Sequence, residues 1–117
     1  MAKDSSRVLR VAGQIQRELA TLIQNEVADP RLRLVTLTGV EVTRDYSHAK
    51  VFFSVLSQAE DVQLAKDGLA HASKFLRSQL AGRIKLRVVP ELHFVYDESI
   101  ERGVHLSKLI DEAVGNI

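Results

Sequence analysis

The 117-residue sequence predicts an α+β protein of two layers, with helices on one face of a three-stranded sheet. Three observations carry that prediction. Apolar residues recur at helical spacing over 8–23 and again over 62–80. Three other stretches alternate apolar with polar residues, as strands covered on one face do. The elements follow in the order helix, strand, strand, long helix, strand, helix.

The first helix is predicted to start at a Ser5 or Ser6 cap. Val8, Ala12, Ile15, Leu19, Leu22 and Ile23 form its apolar face, with Arg10 and Arg17 opposite. "DPR" stops it, because Pro30 restricts Asp29 and cannot continue the helical ladder. The first strand carries Val35 and Leu37, then Val40 and Val42 in the opposite phase. A β-bulge near Gly39 would keep all four on one sheet face. "RDYSH" reads as a turn into a second strand with Ala49, Val51, Phe53 and Val55 inward. The short connection predicts an antiparallel hairpin. Val62, Ala65, Leu69, Ala72, Leu76 and Leu80 then hold helical spacing nearly to Gly82. "RIKLRVV" reads as extended, with Ile84, Leu86 and Val88 alternating against Lys85 and Arg87. Pro90 interrupts it before a third strand with Leu92, Phe94 and Tyr96 in phase. Asp97 or Ser99 caps a last helix bearing Val104, Leu106, Leu109, Ile110 and Ala113. One domain spanning 1–117 is expected, ordered over about 5–113.

Composition narrows the function. There is no Cys, so disulfides, thiol nucleophiles and thiolate metal sites are excluded. No apolar run reaches the length of a membrane span, and the N-terminus has no signal-like apolar core. A cytoplasmic protein without membrane contact is expected. Net charge is only +1, yet the basic residues cluster in "RVLR", "DPRLR", "KFLR" and "GRIKLR".

"DPRL", "GVEVTRDYSHAKVFFSVL" and "LRSQLAGRIKLRVVPELHFVYDESIERG", with the last helix, resemble the ribosome-binding factor A family from about Lys3 to about Ala113. The spacing of proline, acidic and aromatic residues in "RVVPELHFVYDES" is the most distinctive part. The resemblance implies a type II KH-like fold of order α-β-β-α-(kink)-α-β-α. It implies a monomeric ribosome biogenesis factor that binds the free or immature 30S subunit and its 16S rRNA. Late maturation and rRNA processing, including in the cold, would be assisted without catalysis or cofactor. Ribosomal proteins and other assembly factors are further implied partners. In this family a helix–kink–helix with an Ala-x-Gly signature stands where ordinary KH domains have a GxxG loop. Here the signature falls on Ala72, Ser73 and Lys74, with Lys in place of the usual Gly. The kink is expected to persist, although left-handed angles cost a side-chain-bearing residue about 1 kcal/mol or more.

Without a glycine clamp, RNA binding must rest on side-chain charge and shape. The candidate RNA-binding residues are Arg31, Arg33, Lys66, Lys74, Arg77, Arg83, Lys85 and Arg87. Phe52, Tyr46 and Tyr96 are the only aromatic candidates for stacking, and strand phase turns Tyr96 inward. The rival for every basic residue is a solvated surface. No metal is expected, since His48, His71, His93 and His105 lie on different elements with no ligand-type spacing. Asp97, Glu98 and Glu101 are better read as favouring a helix N-terminus than as paired catalytic carboxylates. A protein-only adaptor without direct RNA contact is the alternative reading. A conventional KH module reading single-stranded RNA is disfavoured by the missing GxxG.

Overall fold

The computed structural model describes residues 2–56 and 60–98. Helix α1 (Ala2–Asn25) is followed by a 3-10 turn (Pro30–Leu32), strands β1 (Val35–Val42) and β2 (His48–Val55), helix α2 (Glu60–Arg83) and strand β3 (Glu91–Tyr96). The sheet order is β1-β2-β3, with β1 antiparallel and β3 parallel to β2. A parallel pair cannot be closed by a tight turn, and α2 supplies the crossover.

Both helices lie on one face of the sheet. Ile15, Leu19 and Leu22 of α1 and Leu69, Leu76 and Leu80 of α2 meet Ala49, Val51 and Phe53 of β2, all fully buried. Phe53 takes Tyr96 edge-on, with ring centroids 5.8 Å apart. The bulge falls where the phase of the apolar residues shifts. Leu37 pairs with Phe53 and Gly39 with Phe52, so Thr38 is the extra residue. Val35, Leu37, Val40 and Val42 consequently all pack against the core. The Thr38 hydroxyl donates to the Asp97 carboxylate beyond the end of β3 (2.6 Å).

Four expectations need correction. Helix α1 begins at Ala2, ahead of Ser5 and Ser6, and ends at Asn25, before the Asp-Pro pair. Asp29 instead caps the 3-10 turn, its carboxylate accepting from the Arg31 N–H. Helix α2 is one α-helix through Ala72, Ser73 and Lys74, not two helices around a break. Lys holds α-helical angles about 1 kcal/mol more readily than Gly, so the substitution removes the local preference for breaking. The "RIKLRVV" segment is not a strand: Arg83 still belongs to α2, and the chain bends at Arg87 and Val88. Ile84 and Leu86 face inward as expected, but beyond the bend Val89 packs on the core and Val88 is exposed. The predicted last helix lies outside the described residues.

Candidate nucleic-acid interface

The buried stripe of α2 runs through Ala65, Leu69, Ala72, Leu76 and Leu80. At about 100° per residue, Lys74 stands roughly opposite that stripe, on the outer ridge. Lys66 and Arg77 fall on one flank, within about 80° of Lys74. Lys66, Lys74 and Arg77 are all exposed. The other flank carries Gly68, His71 and Phe75.

The 3-10 turn docks on that second flank. A Cβ at Gly68 would meet Leu32 Cδ2 at 3.0 Å and Arg31 Cβ at 3.3 Å, so the missing side chain is what lets the two elements touch. Arg31 is held there by Asp29. Its Nε donates to both carboxylate oxygens at 3.0 Å, and one terminal nitrogen donates to Oδ2 at 2.6 Å. These bonds hold the Asp29 carboxyl below its ordinary range and raise the Arg31 guanidinium. Arg33, one residue past the turn, lines a cleft of about 420 Å³ beside the end of α1.

Arg77 reaches across to the bent segment. Its Nη2 donates to the Val89 carbonyl at 2.9 Å and its Nε at 3.3 Å. That pair of bonds ties the stretch bearing Lys85 and Arg87 to the flank carrying Lys66 and Arg77. Arg83 pairs with Glu18 of α1 at 3.3 Å.

The eight predicted cations therefore divide. Arg31, Arg77 and Arg83 have structural partners inside the chain. Arg33, Lys66, Lys74, Lys85 and Arg87 are exposed, and their side chains make no hydrogen bond or ion pair with the described residues. The first group braces the surface, and the second leaves charge free for an anionic partner.

The aromatic candidates divide too. Tyr96 is inward against Phe53, as strand phase requires. Phe52 is half-buried on the open sheet face, and Tyr46 is half-buried in the hairpin turn at φ 60°. Phe75 was missed by the sequence reading. It stands 42% exposed beside Lys74. Its signal was there, since it falls about 90° off the buried stripe of α2. Beyond this surface, the sheet brings together three residues that sequence spacing kept apart: His48, Glu91 and His93. No helix among the described residues is long and apolar enough to cross a membrane.

An α+β sandwich with a mixed sheet and a crossover helix defines a KH-like domain. The family model for Ribosome-binding factor A matches residues 7–110. A ribosome-binding factor A of Nitrosomonas europaea is 69% identical over 115 residues, covering 98% of both chains. That of Nitrosospira multiformis is 63% identical over 116 residues, covering 99% of this chain and 92% of its own. The crystal structure of ribosome-binding factor A from Thermus thermophilus superposes with a TM-score of 0.70 at 30% identity, covering 79% of this chain and 97% of its own. A Thermus thermophilus ribosome binding factor A fitted into a cryo-EM map of a 30S complex gives 0.61 at 31% identity, covering 74% and 91%. The chain belongs to the ribosome-binding factor A family.

Proposed function

We propose that this protein binds the free, immature 30S subunit through its 16S rRNA and assists late maturation and rRNA processing, including at low temperature. It acts as a cytoplasmic monomer, by binding and without catalysis. Ribosomal proteins and other assembly factors are additional contacts on the same particle. The observation that carries this reading is the set of exposed cations whose side chains have no partner among the described residues: Arg33, Lys66, Lys74, Lys85 and Arg87. Arg31, Arg77 and Arg83 complete the surface while bracing it. The complex of the Thermus relative with 30S supports the choice of partner.

The mechanism follows from charge and shape. Lysine and arginine on a continuous helix ridge track phosphates and displace their counterions. Phe75 offers an apolar face beside Lys74 for an unpaired base. A bound ligand shifts a conformational equilibrium only by its difference in affinity for the two states. The protein therefore prefers incompletely folded rRNA and leaves when the mature arrangement closes the site.

The test measures binding to immature and finished 30S subunits, and to protein-free 16S rRNA, across a salt series. Wild type is expected to favour immature subunits, with log affinity falling linearly in log salt. The double reversal Lys74→Glu, Arg87→Glu is expected to lower affinity and flatten that slope by roughly 0.7 to 0.9 per contact removed. Unchanged attachment of the double variant overturns the reading. Attachment to subunits with no affinity for bare rRNA at low salt favours the protein-only adaptor.

A further inference from the structure

Strands β2 and β3 run parallel in a register that sets His48 opposite Glu91 and Lys50 opposite His93. Residues two apart on a strand share a face, so His48, Glu91 and His93 all stand on the side of the sheet away from the helices. His48 Nδ1 lies 3.0 Å from His93 Nε2 and 3.6 Å from Glu91 Oε2. One ligand atom from each of the three falls within 4.8 Å of the other two. We propose that His48, Glu91 and His93 form a binding site for one divalent transition-metal ion of the zinc class.

The geometry and the donor set both support it. Ligands about 2.0–2.2 Å from a tetrahedral zinc ion stand about 3.4 Å apart, and the two contacts of His48 bracket that separation. Two imidazoles and a carboxylate are a donor set that zinc accepts, with water at the fourth position. Magnesium and calcium, which prefer all-oxygen shells, are disfavoured. In the metal-free protein the two ring nitrogens touch, so one N–H points at the other ring's lone pair. For an ion to enter, the donating ring moves that proton to its other nitrogen, and both lone pairs then point at the metal. The three residues are exposed, and His48 and His93 open onto a depression of about 500 Å³ that Glu41 and Lys50 also line. Lys50 opposes the ion's charge and Glu41 offsets it, so affinity falls below that of a closed four-ligand site. The site lies on β2 and β3 rather than on α2, and it does not depend on the proposed ribosomal role.

The experiment titrates metal-stripped, tag-free protein with zinc chloride, followed by calorimetry and by histidine side-chain NMR. One equivalent is expected to bind, shifting the ring signals of His48 and His93. His48→Ala and His93→Ala should each weaken binding by about tenfold or more, and Glu91→Gln by less. His71→Ala should bind as wild type. Zinc should raise the Tm of wild type and leave that of His48→Ala unmoved. Circular dichroism of each variant without metal shows whether it folds, and His93→Gln serves if His48→Ala does not. No binding at millimolar zinc overturns the proposal. So does binding that survives loss of both His48 and His93, or that is lost with His105→Ala alone.

Discussion

The two faces of the sheet differ in how their residues come to be neighbours. On the covered face, Ala49, Val51 and Phe53 are fully buried under two helices. On the open face, the intervening His48 and Lys50 are exposed and Phe52 is half-buried. Which residues the covered face buries follows from a local rule: alternate along a strand, repeat along a helix, bury the apolar side. The open face has no such rule. Its His48–Glu91–His93 cluster exists only because β3 lies beside β2 and parallel to it. Periodicity writes the core, and topology assembles the surface.

The largest effect separates the faces directly. Phe53→Ala removes a fully buried ring and its edge contact with Tyr96. It should cost about 3–5 kcal/mol of unfolding free energy. Phe52→Ala, one residue along on the open face, should cost about 1 kcal/mol. Urea unfolding of both variants measures the contrast. Equal losses would mean that the open face is packed against something, and the comparison would break.

A middle-sized effect probes the joint between α2 and the 3-10 turn. Gly68 is buried against Leu32 and Arg31, with no room for a branched side chain. Gly68→Leu should destabilise by about 1–3 kcal/mol through overpacking. Gly68→Ala should be nearly neutral, because its tight contact is offset by a helix-propensity gain of about 1 kcal/mol. Amide shifts at Arg31 and Leu32 report whether the turn has moved. A Leu variant as stable as wild type would show that the turn is not anchored there.

Much of the fold was legible for the same reason that the core was. The phase shift between Leu37 and Val40 announced the bulge, because only an extra residue keeps both pairs inward. The strand phases placed Phe53 and Tyr96 correctly. The helix ends were less legible, since α1 begins at Ala2, ahead of both predicted caps, and ends at Asn25, short of the Asp-Pro pair. The segment after α2 misled because its alternation is real only as far as Arg87, where the bend hands the inward position to Val89. At the interface, exposure of Lys66, Lys74, Lys85 and Arg87 could be read from spacing. The intramolecular duties of Arg77 and Arg83 could not, because Val89 and Glu18 become neighbours only once the chain is folded. Phe75 was passed over, although it lies outside the apolar stripe of Ala65, Leu69, Ala72, Leu76 and Leu80.

The smallest effect lies in the turn joining β1 to β2, where the two faces meet. Asp45 accepts from the Ser47 hydroxyl at 2.7 Å, the Thr43 hydroxyl at 2.8 Å and the Ser47 N–H at 3.1 Å. It holds Tyr46 in the left-handed region at φ 60°, an angle a turn must supply without glycine here. Those donors, the Ser47 hydroxyl foremost, draw the carboxyl from its ordinary 3.8 down to about 2. A depressed carboxylate stabilises the fold fully above the unfolded-state value, near 4. Its contribution fades as pH falls through about 2. Asp45→Asn keeps the shape and removes the charge. Its melting temperature should therefore decline less steeply than that of wild type between these two values. The remaining decline belongs in part to Asp29, whose carboxyl is also lowered, chiefly by Arg31. Parallel acid curves for wild type and Asp45→Asn would show that the turn contributes nothing through this charge, leaving the hairpin register to be held by the covered face alone.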